Sequence, residues 1–352
     1  MSMCPHKKEA TERPRRDFLK LAALSGAGAL IGPGLSAQGL PAGVRPLRVI
    51  HMTDHHLMDF MNERGSREGI EAAYAHAMSF QPDYILNGGD LLTHSIQRPL
   101  EDVKKDAETI LGIFPKSGVR IINACGNHDI WGWRKSRSGA TGNEPLYGKN
   151  FFREYFGEGT RYRSVDLGSW TMLVLDSTQP WGEGYQGGLD EEQFEWLQGE
   201  LNRSDKRKPV IVLSHIPILN AGILLQDAVL GPEDDHSRGV TLPKGSCHQD
   251  LWRVVNAFHR HGNVKIALSG HVHVDERTDI LGTSHISSGA VCGSWWQPRE
   301  RVSARETRRQ AERGNPHLIR TPRADPGFGL FNLYPDGSFD YRYELFPWAF
   351  RT

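Results

Sequence analysis

Five short stretches of this chain end in residues that bind metals or carry protons. They are Asp54 with His56, Asp90, Asn127 with His128 and Asp129, His215, and His271 with His273. The clearest runs Tyr84-Ile85-Leu86-Asn87-Gly88-Gly89-Asp90, an apolar stretch closed by two glycines and a carboxylate. The glycines let the backbone turn tightly where a ligand approaches. Carboxylate oxygen and imidazole nitrogen suit zinc, iron or manganese. Two carboxylates, one Asn amide and four imidazoles are too many for one zinc, and they suit two metals sharing a bridging carboxylate. Such a pair can activate a water and clamp the oxygens of a phosphate.

The elements that must position these groups alternate in type. Leu47–Met52 reads as a strand, Ser66–Phe80 as a helix and Asp83–Asn87 as a strand. Residues 99–114 read as a helix with Pro99 at its start, and Val119–Cys125 as a third strand. This order predicts parallel pairing through helical crossovers. Each chemical group then sits at a strand's C-terminal end, the usual place for a site in open α/β sheets. Further on, Phe151–Phe156 reads as a short helix, and 162–166 with 169–175 as a hairpin. Trp181–Gly188 reads as a glycine-rich loop, followed by a helix capped by Asp190. Strands are expected at 209–215 and 264–269, with a helix between them around Leu251–Phe258. The insertion 220–246, with Asp234, Asp235 and His236, reads as solvated loop. Residues 299–325 form an arginine-rich excursion, and a closing antiparallel hairpin at 327–334 and 339–345 turns at Pro335-Asp336-Gly337.

Composition narrows the class. The chain has 352 residues, zero formal net charge, nine Trp and fourteen Phe. That supports a sizeable core and gives no support to bulk affinity for nucleic acid or membrane. The four cysteines lack any CxxC spacing, which argues against a zinc–thiolate site. Cys125 and Cys292 read as buried thiols that do not cross-link. The first twenty residues carry six Lys or Arg against three acids, and Arg15-Arg16-Asp17-Phe18-Leu19-Lys20 precedes a mild Ala/Gly-rich apolar run to Leu35. This resembles a twin-arginine export signal, residues 1–37, with cleavage near Ala37. It implies a periplasmic or otherwise exported protein that engages the Tat machinery.

The series Asp54-x-His56, Gly89-Asp90, Gly126-Asn127-His128-Asp129, His215, Gly270-His271-x-His273 resembles the calcineurin-like metallophosphoesterase superfamily over residues 47–275. The resemblance implies an α/β fold, a four-layer α/β/β/α sandwich with mixed sheets, spanning 45–298, with 299–352 as a C-terminal extension. It implies that Asp54, His56 and His273 hold one metal and Asn127, His215 and His271 another, with Asp90 bridging. A metal-bridging hydroxide would then attack phosphorus in line. His128 would sit over the phosphate as general acid, with Asp129 orienting its ring. Two Mn, Fe or Zn ions are the implied cofactors. The expected substrate is a small phosphorylated molecule or phospholipid-like diester, with no stable nucleic-acid partner. A phosphomonoesterase or nuclease of the same fold, or a non-catalytic metal-binding envelope protein, are the rival readings. Trp131, Trp133, Trp181, Trp295 and Trp296 could stack on a base or cover an acyl chain, with packing in the core or at the site's rim the favoured alternative. One departure stands out: Thr93 occupies the place where many members carry a second Asp, three residues after the bridging one.

The export reading has a direct test. Replacing Arg15 and Arg16 with lysine is expected to leave uncleaved precursor in the cytoplasm. Undiminished mature protein in the periplasm would refute it.

Overall fold

The computed structural model describes residues 45–58, 60, 64–225, 242–298 and 323–348. The export segment, the Asp234–Asp235–His236 cluster and most of the arginine-rich stretch lie outside those residues. Among the described residues no helix is long and apolar enough to cross a membrane.

Two sheets are built from strands whose alternate residues face opposite layers. The first has strand order β13-β12-β1-β2-β3. Its members are β1 (Leu47–Met52), β2 (Tyr84–Asn87), β3 (Arg120–Asn123), β12 (Gly327–Leu333) and β13 (Phe339–Leu345). The second has order β10-β11-β9-β8-β5-β4. It comprises β4 (Arg163–Asp166), β5 (Thr171–Val174), β8 (Val210–Leu213), β9 (Val264–Ser269), β10 (Asp275–Ile280) and β11 (Thr283–Ser288). The pairs β1/β2, β2/β3, β5/β8 and β8/β9 are parallel, while β4/β5, β10/β11 and both pairs of β12 are antiparallel. A separate ribbon joins β6 (Thr178–Trp181) to β7 (Gly184–Gly187).

Three apolar clusters separate four layers. Ile50, Met52 and Ile85 pack under α1 (Ser66–Ser79) and α2 (Leu100–Ile113), against Ile70, Ala73, Val103 and Ile110. Val49, Leu86 and Ile122 point the other way and meet Met172, Val174, Ile211, Leu213, Ile266 and Leu268 from the second sheet. On its far side, Leu173, Val210 and Val212 contact Phe194 and Leu197 of α5 (Glu191–Arg203), and Val254 and Phe258 of α6 (Leu251–His261). This is the period-2 burial of strands covered on both faces. Two short helices, α3 (Lys135–Ser138) and α4 (Lys149–Tyr155), lie in the crossover between β3 and β4. At the start of α5, the Asp190 carboxylate accepts the Gln193 amide at 2.9 Å, as the cap reading expects.

The sheets are the mixed α/β arrangement expected, with local differences. Trp181–Gly188 contributes to a β-ribbon instead of a loop, because residues 178–181 pair with 184–187. The β10–β11 hairpin has no counterpart in the sequence reading. The β10 segment, Asp275-Glu276-Arg277-Thr278-Asp279-Ile280, is an edge strand with little burial, so polarity hides it. The closing hairpin forms, and β12 pairs with β1 from Leu47↔Leu333 to His51↔Gly329. It therefore completes the sheet that carries the first site loop. Phe331 is fully buried between the sheets. Phe331→Ala is expected to cost about 3–5 kcal/mol, read from urea unfolding. A loss below ~1 kcal/mol would mean the hairpin does not support that core.

Candidate metal centre

All seven residues singled out as ligands meet at the C-terminal ends of β1, β2, β8 and β9 and just beyond β3. Asp90 Oδ2 lies 3.2 Å from His215 Nε2 and 3.7 Å from His56 Nε2. Asp54 Oδ1 lies 3.3 Å from His273 Nε2 and 3.6 Å from His56 Nε2. The Nε2 atoms of His56 and His273 are 3.2 Å apart. Asn127 Oδ1 sits 3.1 Å from His215 Nε2, and the His271 ring is 5.2 Å from that of His215.

The other atom of several groups is tied to the scaffold, which aims the free one inward. His215 Nδ1 donates to Gly88 O at 2.8 Å, and His273 Nδ1 donates to Gly293 O at 2.7 Å. Each ring then presents Nε2 to the centre, the usual way a backbone carbonyl fixes a ligating imidazole. Asp54 Oδ2 accepts from Thr53 Oγ1 and His271 N, both at 2.8 Å. Asp90 Oδ1 accepts from His128 N at 2.7 Å.

Five of the seven stand in left-handed backbone conformations: Asp54 (φ 54°), His56 (φ 45°), Asp90 (φ 55°), His271 (φ 70°) and His273 (φ 57°). Such residues cost on the order of 1–3 kcal/mol each, and they persist only where the surroundings dictate them. Backbone hydrogen bonds from Asp54 N to Gly89 O (2.9 Å) and His56 N to Asp90 O (3.0 Å) hold the first two loops together. Glycine permits the closest approaches. A Cβ on Gly126 would lie 2.1 Å from Asp90 N, and one on Gly270 would lie 1.9 Å from Thr53 Oγ1.

The donor set fits cations. Asp54 Oδ1 is buried and accepts no hydrogen bond. Burial works against protonating His215, yet the Asp90 and Asp54 carboxylates carry its pKa up to about 9. Burial likewise opposes charge on His273, but Cys292 and Asp54 raise it to about 10. Two buried carboxylates thus draw positive charge onto the rings beside them. Compatible ligand triples include Asp90–His215–His271 and His56–Asp90–His128. The oxygen-and-nitrogen donors of the first suit a borderline or hard divalent ion.

Comparison with known proteins agrees with this geometry. Residues 47–275 match the calcineurin-like phosphoesterase family. The chain belongs to that family. Its members use a dinuclear metal centre. A 3′,5′-cyclic-nucleotide phosphodiesterase of Nostoc sp. is 22% identical over 190 residues, 54% of this chain and 58% of that one. A manganese-dependent ADP-ribose/CDP-alcohol diphosphatase of Arabidopsis thaliana is 31% identical over 90 residues, 25% of this chain and 23% of that one. The chain therefore spans little more than half of the first relative and under a quarter of the second. A dimetal phosphatase from Danio rerio has the same fold, with a TM-score of 0.51 at 15% identity over 82% of this chain and 93% of that chain.

The hydrogen bonds of the two residues expected to act as acid and orienter bear on those roles. The Asp129 carboxylate is spent on backbone amides, not on the His128 ring. Its Oδ2 accepts from Asp90 N (2.8 Å) and Gly126 N (3.0 Å), and its Oδ1 accepts from Leu92 N (3.0 Å). It is a buried tie between two site loops. Burial and the nearby Asp90 push its pKa up to about 7, against the pull of those amides. His128 Nδ1 accepts the His94 backbone N–H at 2.9 Å. That nitrogen carries no proton, so the neutral ring has its proton on Nε2. Burial lowers His128 to about 3, with neighbouring histidines adding to the effect and Asp90 opposing it. An imidazolium would set two donors face to face.

The sequence reading did not place the wall around these groups. Trp295 stacks on His56 with centroids 3.9 Å apart, and Tyr185 sits edge-on to His271 at 6.0 Å. His94 packs 5.0 Å from His128. Trp131 and Trp296 are 3% and 2% exposed, hence core residues, whereas Trp181 is open at 54%. Cys125, Cys247 and Cys292 are free, as expected for Cys125 and Cys292. Asp129→Asn, which turns an NH₂ toward at least one backbone N–H, is expected to destabilise the fold by roughly 1–3 kcal/mol. Thermal or urea unfolding checks it; unchanged stability would remove Asp129 from the scaffold.

Proposed function

We propose that this chain is a dinuclear metal-dependent phosphodiesterase. The observation that carries the reading is Asp90 Oδ2, which faces Nε2 of His56 on one side and Nε2 of His215 on the other. That supports Asp90 as the carboxylate shared by two positions. Asp54, His56 and His273 would hold one ion, and Asn127, His215 and His271 the other. The nitrogen and oxygen donors suit manganese, iron or zinc. When bound, the ions supply an activated water and neutralise charge on the phosphoryl oxygens.

The chain's own residues do the rest. His128 offers a neutral Nε2–H to a phosphoryl or leaving-group oxygen. It does not transfer that proton, because Nδ1 is occupied as an acceptor by the His94 amide. This replaces the general-acid role with a fixed, preoriented hydrogen bond to the oxygen on which charge develops. The rim side chains His94, His128, His271, Trp295 and Tyr185 carry no permanent cation, which favours a singly charged diester over a dianionic monoester. The names of the Nostoc and Arabidopsis relatives, a cyclic-nucleotide phosphodiesterase and a diphosphatase of nucleotide conjugates, support diester-type bonds in small molecules. Export by the twin-arginine route places this activity outside the cytoplasm.

One experiment tests the reading. Purified protein is loaded with manganese and assayed on a nitrophenyl diester, an alkyl diester, the matching monoesters and single-stranded DNA, with metal counted per chain. Two ions per chain and turnover of diesters are expected. Asp90→Asn should weaken both ions and lower turnover by more than the ~10–100-fold typical of changes around a metal's ligands. His128→Asn should keep both ions and slow both diesters by similar factors, on the order of 10²–10³. Full activity without metal would sink the reading. A much larger loss on the alkyl ester would restore His128 as a proton donor, and rates that climb with DNA length would favour a nuclease.

A further inference from the structure

On the dinuclear reading above, we propose that Trp295 shields the position formed by Asp54, His56 and His273, so that its ion exchanges far more slowly than the other. The segment Ala290–Trp296 is fastened to the loop bearing these ligands. Val291 N donates to Thr53 O at 2.9 Å, and Cys292 N donates to Asp54 O at 3.1 Å. The Trp296 indole N–H is shared between His55 O (3.0 Å) and His56 O (3.1 Å). Gly293 O receives the Nδ1 proton of His273. One short segment therefore grips both ends of this ligand set.

That grip sets Trp295 in place. Trp295 and Trp296 have φ of 61° and 57°. For bulky side chains this conformation is unusual and signals a geometry imposed by its surroundings. Arg64 donates to Trp295 O at 3.2 Å, holding the turn from outside. The Trp295 ring lies over His56 at 3.9 Å and 28°, and beside His273 at 5.5 Å and 26°. It also lies near-parallel to His94 at 5.9 Å. The side chains of Asp54, His56 and His273 are 0%, 1% and 3% exposed.

The second position is built differently. His215 and Asn127 are as buried as the first set, at 0% and 3% exposed, but His271 is only partly buried, and its aromatic neighbour Tyr185 meets it edge-on rather than covering its face. An ion leaves when water or a chelator reaches it or when a ligand ring swings away. A stacked indole obstructs both routes at the first position. Nothing comparable is stacked on His271 among the described residues.

The test uses the full chain loaded with manganese alone and then mixed with excess EDTA, following bound manganese per chain over time by elemental analysis. The wild type is expected to lose one ion quickly and the other at least tenfold more slowly. Trp295→Ala should accelerate the slow ion at least tenfold and move the fast one less than twofold. Trp295→Phe, which keeps a ring to stack, should retain most of the slow phase. If the alanine variant fails to fold by circular dichroism, Trp295→Leu against Trp295→Phe carries the same comparison. A wild type that binds two ions and releases them in a single phase would overturn this inference alone. So would a slow phase untouched by the substitution, or equal acceleration of both ions. A wild type binding fewer than two ions would overturn the dinuclear reading and this inference with it.

Discussion

Asp54 and Asp90 are 0% and 2% exposed. Taking a carboxylate out of water costs several kcal/mol unless charge and hydrogen bonds replace the lost hydration. Much of the remaining site answers that demand. Backbone amides of His271 and His128 serve one oxygen of each acid, while imidazoles surround the other. The raised pKa of His215 follows from the same demand, since a proton on its ring offsets the charge of Asp90, while that of His273 owes more to Cys292 and then to Asp54. A pair of divalent ions offsets it more completely. The left-handed ligands belong to the same account. Five strained residues are tolerated because two buried acids and their partners leave the loops no comparable alternative.

Parallel strands make such convergence possible. In both sheets the strands that carry site residues run the same way, so their C-terminal ends open onto one edge of the sandwich. β1 and β2 deliver Asp54, His56 and Asp90, and β8 and β9 deliver His215, His271 and His273. The apolar layer between the sheets fixes the spacing of these two groups. Val49 and Leu86 meet Ile211 and Leu268 a few residues behind the ligands. A packing defect there would displace one half of the site relative to the other, which ties the geometry of the site to the core.

The strands and ligands were legible because each carries a strong local signal: an apolar run, then a polar residue with glycine beside it. What stayed hidden depends on partners distant in sequence. Asp129 looks like a companion of His128, its neighbour, yet it binds amides of Asp90, Leu92 and Gly126. Only the folded loops show that. The sequence left the tryptophans of 295–296 open between substrate contact and packing, and only the fold shows that Gly69 on α1 leaves the space that Trp296 fills. A Cβ there would fall 2.2 Å from the indole. The β10–β11 hairpin was obscured by its polar edge strand, whose stability comes from pairing with β11 rather than from its own burial.

His55 shows how far the site's order extends. It lies between two left-handed ligands, and its sequence context marks it as unremarkable. Its Nε2 is 3.2 Å from Tyr74 Oη, and that hydroxyl donates to Asn87 Oδ1 at 3.1 Å. Asn87 Nδ2 donates to Asn123 Oδ1 at 2.8 Å, and Asn123 Nδ2 donates to Phe156 O at 3.0 Å. With the proton on His55 Nε2, every donor in this chain points the same way, so no link sets donor against donor. Hydrogen bonds aligned head to tail polarise and strengthen one another in a low-dielectric interior. The chain begins beside the metal ligands, crosses beneath β2 and β3, and ends on the carbonyl of Phe156, just past the last turn of α4. In an otherwise apolar layer, an amide or hydroxyl left unpaired costs about 1–3 kcal/mol. The hydroxyl and the two amides are therefore admitted as paired links, and only His55 Nδ1, at the head of the chain, has no hydrogen-bond partner. These links also specify one rotamer for Tyr74, Asn87 and Asn123, which apolar packing alone does less sharply.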